Sequence, residues 1–179
     1  MKILLHICCG PCGVAFLDGI IEEKFEPILL WHNPNIHPFM EYKHRRNAAA
    51  EFAVLYELAM EIDDFYGLKD FVGNVAGDIE SKQARCEYCY RSRLEYTVKK
   101  AVASGFEAFS TTLLASPYQN FDAICKFGSE LAIRYGCEFV IRDFRKDFRA
   151  AMDEARKMGL YMQKYCGCVF SEEERYRRK

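Results

Sequence analysis

The chain has 179 residues, half of them apolar, with a formal charge of −1 and nine cysteines. That length and apolar content predict one compact globular domain, and they exclude a disordered chain. No stretch approaches the roughly 20 apolar residues of a membrane span, and the N-terminal apolar run is too short for a secretory signal. A cytoplasmic location follows as the expectation. There thiols stay reduced, so nine of them point to metal or redox chemistry rather than a disulfide framework.

Lys2 to Cys8 is an apolar run stopped by Gly10-Pro11 and reads as a buried strand. A helix from about Val14 to Lys24 and a strand from Glu26 to Trp31 follow. The His32-Asn33-Pro34-Asn35-Ile36-His37-Pro38 loop then leads into a long helix over Met40 to Met60. A short third strand is expected at Glu61 to Phe65, with a short helix near Leu68 to Ala76. The next helix spans Cys86 to Ser104 and ends at Gly105, and Glu107 to Leu113 is strand-like. Ser116-Pro117-Tyr118-Gln119 has the makings of a helix start, running to about Tyr135. A strand near Glu138 to Ile141 and a helix over Phe148 to Lys157 complete the series, leaving a short basic C-terminal tail at about 172–179. Alternating strands and helices predict an α/β fold with a parallel sheet flanked by helices.

Seven cysteines fall in three groups: Cys8-Cys9-Gly10-Pro11-Cys12, Cys86-x-x-Cys89 and Cys166-Gly167-Cys168. Such spacings hold soft metals or exchange electrons as thiol and disulfide. The first group ends the opening strand, where open α/β sheets place their active sites. Cys86 and Cys89 would share one face in a first helical turn, whose dipole favours an anionic group. These two groups offer five thiols, and a cubane cluster commonly takes four. Spacing alone does not say which is left over, and structural zinc and a metal-free dithiol are the alternatives. In Cys166-Gly167-Cys168 the glycine permits the tight bend of a small redox ring; two unpaired thiols or a further metal site are its alternatives. Cys125 and Cys137 read as core packing.

Other residues are open to two readings. His6 is mid-strand and suits a satisfied core position, whereas His32 and His37 flank the loop after the second strand. Thr111, Thr112 and Ser116 sit near another strand's exit, as polar-ligand contacts or local caps. Asp143, Arg145 and Asp147 follow the last strand, with Asp143 a candidate acid and solvated charge the simpler reading. Net charge gives no sign of nucleic acid, although several Lys and Arg clusters, 11 Tyr and 14 Phe permit such a surface.

Four ordered motifs are more specific than any one of them: His6-x-Cys8-Cys9-Gly10-Pro11-Cys12; Arg85-Cys86-x-x-Cys89-Tyr90-x-x-Arg93-Leu94; Ser110-Thr111-Thr112-Leu113-Leu114-x-Ser116-Pro117-Tyr118-Gln119; and Tyr161-x-Gln163-x-Tyr165-Cys166-Gly167-Cys168-x-Phe170-Ser171. Together they closely resemble the cobalamin-independent epoxyqueuosine reductases, the QueH family, over residues 1 to 171. The resemblance implies a HUP-like, Rossmann-type domain that reduces epoxyqueuosine to queuosine at the wobble position of tRNA. It implies a [4Fe-4S] cluster on Cys8, Cys9, Cys86 and Cys89, a redox-active pair in Cys166 and Cys168, and an external electron donor. It also implies a nearby second metal, expected to be iron, to which Cys12 is then assigned by inference. Asp143, Tyr118 and His6 are candidate proton donors. Two rival functions are a tRNA sulfurtransferase and a non-catalytic zinc-binding RNA module. The first needs a phosphate-cradling Ser-Gly-Gly-x-Asp-Ser type loop where this chain has Cys8-Cys9-Gly10-Pro11-Cys12, and the second leaves Cys166-Gly167-Cys168 unexplained.

Overall fold

The computed structural model describes residues 1–177, apart from the side chain of residue 18. Five strands, β1 (Lys2–His6), β2 (Glu26–Trp31), β3 (Met60–Ile62), β4 (Ala108–Thr111) and β5 (Glu138–Phe139), form one sheet in the order β3-β2-β1-β4-β5. All four pairings are parallel. Parallel strands need crossovers of fixed hand, so the reversal of direction after β3 changes the face on which helices lie. Helix α1 (Gly10–Glu22) accordingly packs with α2 (Phe39–Leu55) and α6 (Phe148–Lys157), while α4 (Lys82–Ala103) packs with α5 (Phe121–Tyr135). Short helices α3 (Leu68–Val75) and α7 (Val169–Arg177) complete the chain. β1 lies at the centre, with Ile3, Leu4 and Leu5 fully buried. The chain reverses between β1 and β4, and the cleft beyond the C-terminal ends of those two strands is where such sheets bind ligands.

Several element boundaries differ from expectation. α1 begins at Gly10, four residues early, because Cys9 adopts an extended N-cap conformation and its sulfur accepts from the Cys12 amide. The close approach of α1 to α2 requires Gly10: a Cβ there would lie 2.8 Å from the backbone oxygen of Ala48. α2 stops at Leu55, short of Met60, because Glu57 turns into the left-handed region at φ 54° and Met60–Ile62 pairs with β2 instead. Ser81 caps α4 by accepting from Ala84 N, so that helix starts before Cys86. Ser116 does not start α5: the chain makes a short 3-10 turn over Thr112–Ala115, and Asn120 caps the helix by accepting from Ala123 N. Residues 172–177 continue α7 rather than forming a free tail, held by an Arg85–Glu174 ion pair at 2.7 Å. Arg178 and Lys179 lie outside the described residues. Among the described residues, no helix is long and apolar enough to cross a membrane.

Candidate metal centre and redox loop

Because β1 ends at His6, Cys8 and Cys9 are freed from strand alternation and both turn toward one place. The sulfurs of Cys8, Cys9 and Cys12 lie within 4.8 Å of one another, with Cys8 and Cys9 3.8 Å apart. Thr112, at the end of β4, accepts from the Cys8 amide at 3.1 Å and donates to the Cys8 sulfur at 3.3 Å. The switch point between β1 and β4 thus builds this site. Hydrogen bonds from Cys12 and Cys9 hold the Cys8 thiol well below its ordinary pKa. Donating that bond raises Cys12, and burial raises Cys9. Three coupled sulfurs, one held low and two pushed up, form the soft donor set that a thiolate-bound metal requires.

Cys86 and Cys89 lie on α4, outside that group of three. α4 starts at Lys82, so Cys86 is already past the first turn and the expected help from the helix dipole is lost, since it fades within one turn. Burial lifts Cys86 to about 11 and Cys89 to about 12. The compensating positive charge comes from Arg93 instead. Its guanidinium is buried and donates to the Cys89 carbonyl at 3.1 Å and to the Cys89 sulfur at 3.0 Å. Burial alone would lower the Arg93 pKa, but the sulfurs of Cys89, Cys8 and Cys166 outweigh it and raise the pKa. Among the described residues, the one sulfur that Arg93 touches directly is that of Cys89.

Cys166 and Cys168 occupy a loop pinned from several directions. Arg45 donates to the carbonyls of Tyr165 and Cys166, each at 2.8 Å, and is itself paired with buried Glu41 at 2.6 Å. The His37 amide donates to the Gly167 carbonyl at 2.7 Å, and the Gly167 amide to Ser171 Oγ at 3.1 Å. Gly167 sits at φ 144°, and a Cβ there would meet Arg45 Nη1 at 3.2 Å. Cys166 is exposed and accepts from Gln119 Nε2 at 3.3 Å; Cys168 is partly buried and accepts from the Ser171 amide at 3.4 Å. Tyr90, next to Cys89, donates to Gln119 Oε1 at 3.0 Å and so ties α4 to the loop that touches Cys166. All nine cysteines are free thiols.

Gln163 Nε2 donates to the Cys9 sulfur at 3.0 Å and approaches Cys12 at 3.8 Å. Its Oε1 is buried without a partner. Three converging sulfurs, an orphaned acceptor beside them and a buried guanidinium facing sulfur together fit an anionic thiolate-ligated metal group.

The histidines are otherwise engaged. His6 Nδ1 meets Thr111 Oγ1 at 2.9 Å, and Nε2 meets two acceptors, His32 O and Asn33 Oδ1, at 3.2 Å each. His6 is the satisfied core residue anticipated, held neutral by burial and by Arg93 with its pKa down at about 3. His32 pairs with Asp63 at 2.7 Å and stacks on Tyr96, while His37 braces the redox loop. Ser116 accepts locally from the Tyr118 amide at 3.3 Å. Asp143 is exposed and forms two hydrogen bonds with the Arg145 guanidinium, which hold its carboxyl below the usual range. A carboxylate so held keeps no proton to give near neutral pH. It lines a surface cleft with Pro117, Arg145 and Lys146. Cys137 is buried and Cys125 partly buried, both packed against the main core. Arg93, Arg45, Gln119 and Gln163 were not singled out individually from sequence, although three of the four lie inside the quoted motifs.

Against this geometry, a family model described as "Epoxyqueuosine reductase QueH" matches residues 3–174. The epoxyqueuosine reductase QueH of Dehalococcoides mccartyi is 35% identical, over 98% of this chain and 94% of its own. That of Thermotoga maritima is also 35% identical, over 97% and 91%. A solved structure, a predicted subunit of tRNA methyltransferase from Methanocaldococcus jannaschii, superposes with a TM-score of 0.58 at 14% identity, covering 86% of this chain and 76% of that one. The last likeness shows a shared α/β fold and nothing more. The family match over nearly the whole chain, together with relatives 35% identical over more than nine-tenths of their length, places this chain in the epoxyqueuosine reductase QueH family.

Proposed function

We propose that this chain reduces epoxyqueuosine to queuosine at the wobble position of tRNA, the closing step of queuosine biosynthesis. The observation that carries the reading is the convergence of Cys8, Cys9 and Cys12 at the switch point of the sheet, inside a QueH-family chain. In this reading Cys8, Cys9, Cys86 and Cys89 hold a [4Fe-4S] cluster and Cys12 faces a second metal, taken to be iron. Bound there, these groups supply one-electron transfer and Lewis acidity toward the epoxide oxygen.

Converting the epoxide to an alkene releases its oxygen as water and consumes two electrons and two protons. A dithiol at Cys166 and Cys168 holds both pairs: closing a Cys166–Cys168 disulfide gives up two electrons and two protons, and an external donor reopens it. Arg45, Gly167 and Ser171 hold the loop bent between the two thiols. Gln119 holds the Cys166 sulfur toward the site. Gln163 Oε1 offers an unused acceptor for a substrate hydroxyl or bound water. Tyr118 is 83% exposed, one residue before Gln119, and suits stacking on an unstacked anticodon base. The ion-paired Asp143 suits anchoring of Arg145 at the neighbouring cleft better than proton donation.

The test is anaerobic purification and reconstitution with quantified iron, acid-labile sulfide and zinc per chain, and a visible spectrum before and after dithionite. The reading predicts about four iron and four sulfide per chain, the cubane complement, with a spectrum that bleaches. Iron beyond that complement supports the second site. Stoichiometric zinc without sulfide, persisting through reconstitution, contradicts the reading and favours a zinc-binding RNA module.

A further inference from the structure

Among the described residues three arginines are buried, and their partners differ. Arg45 is paired with Glu41 at 2.6 Å and Arg85 with Glu174 at 2.7 Å. Arg93, 3% exposed, has no carboxylate partner among the described residues. Its two side-chain hydrogen bonds both go to Cys89, one to the carbonyl and one to the sulfur. The ionisable groups around it that bear on its protonation include Cys89, Cys8, Cys166 and Tyr90, and it acts in turn on His6 and His32. A buried cation without a counter-charge is among the costliest features a fold can carry, and a guanidinium cannot shed its proton to escape. A fold that keeps one has an anion to set against it. The acidic groups that act most on it are thiols and a phenol, and two of the thiols, Cys8 and Cys89, come one from each of the two sulfur groups read as cluster ligands.

Resting on the function proposed above, we propose that Arg93 is the built-in counter-charge of an anionic metal–thiolate group spanning Cys8 and Cys89, a positioning residue that raises that group's reduction potential. Each added electron makes the group more negative by one charge, so a fixed cation in hydrogen-bond contact with a ligand sulfur stabilises the reduced state more than the oxidised one. The helix enforces the contact. Arg93 lies four residues beyond Cys89 on α4, so its side chain returns along the face that carries the sulfur. Burial keeps water from screening the charge. The conserved-charge variant Arg93→Lys keeps the sign but not the forked geometry.

The experiment reconstitutes wild type, Arg93→Gln and Arg93→Lys anaerobically and measures iron, sulfide and the midpoint potential by dithionite titration. Far-UV circular dichroism of each metal-free chain is recorded alongside. Arg93→Gln should show a more negative midpoint, with at least a tenfold smaller ratio of reduced to oxidised cluster at a fixed poise, about 59 mV for a one-electron couple. Arg93→Lys should recover most of that shift. A metal-free Arg93→Gln chain that keeps its native spectrum but loads less iron and sulfide also supports the proposal. A fully loaded Arg93→Gln protein with an unmoved midpoint overturns it. So does a metal-free variant that has lost its helical spectrum, because Arg93 would then serve the fold. Wild-type protein that takes up zinc without sulfide removes the reductase reading itself and this inference with it.

Discussion

At the residue scale, the cysteines announce themselves in the sequence because the chemistry needs them closely spaced, and three groups stand out without any structure. Their supports do not. Arg45 reaches Cys166 across 121 positions and Gln163 reaches Cys9 across 154, so no local pattern joins them. The Glu41–Arg45 pair shows what these supports carry. Both side chains are buried, and Arg45 also holds two carbonyls of the redox loop. Arg45→Ala should therefore cost roughly 3–5 kcal/mol, because Glu41 is left as an unpaired buried charge. The double variant Glu41→Gln/Arg45→Met should recover most of that stability in urea denaturation while leaving the loop ungripped. If Arg45→Ala unfolds at the wild-type urea midpoint, the pair does not have the structural weight assigned to it.

At the element scale, strands were easier to place than helix starts. β2 spans Glu26–Trp31 as expected, and α6 likewise spans Phe148–Lys157, since both have clear periodicity and clear breaks. α4 and α5 began elsewhere because several polar residues near each start can cap, and tertiary packing chose Ser81 and Asn120. The sequence shows only a basic tail where α7 lies, because the helical character of that segment depends on contacts such as Arg85 over the Phe170 ring at 4.7 Å. The segment that leads into α7 carries a pH signature. His37 Nε2 donates to the Pro34 carbonyl at 3.0 Å, which leaves Nδ1 to accept from the Val169 amide at 3.3 Å. Burial lowers the His37 pKa from 6.5 to about 4. The fold thus favours neutral His37: this contribution to stability is complete above pH 6.5 and is lost as pH falls toward 4. Once protonated, Nδ1 no longer accepts. Hydrogen exchange, corrected for the intrinsic pH dependence, should show falling protection at Val169 across that window, and a flat protection factor would rule the coupling out.

At the scale of the whole molecule, the α/β class was legible from alternating elements, whereas the strand order was not, because β1 and β4 are joined only in three dimensions. That pairing places Thr112 against Cys8 and defines the site. A net charge of −1 says little about RNA, but charge can be local. Arg175 and Tyr176 are exposed at the end of α7, and Arg177 is already paired with Glu173 at 2.6 Å. Removing residues 175–179 should weaken tRNA binding and reduce the salt slope by roughly one to two, the effect of losing one or two phosphate contacts. Unchanged affinity and slope would place the RNA surface elsewhere, with the Tyr118 rim the next position to probe.

The most direct measurement gives reconstituted protein epoxyqueuosine-containing tRNA and a reductant under anaerobic conditions, then digests the tRNA and follows its nucleosides by mass spectrometry. The account predicts that epoxyqueuosine disappears as a product lacking one oxygen accumulates over many turnovers. With Cys168→Ser, iron and sulfide should be retained while turnover stops at no more than one event per chain. Unreduced epoxyqueuosine after incubation with fully cluster-loaded wild-type protein would contradict the central claim, and full multiple turnover by Cys168→Ser would contradict the role given to the dithiol.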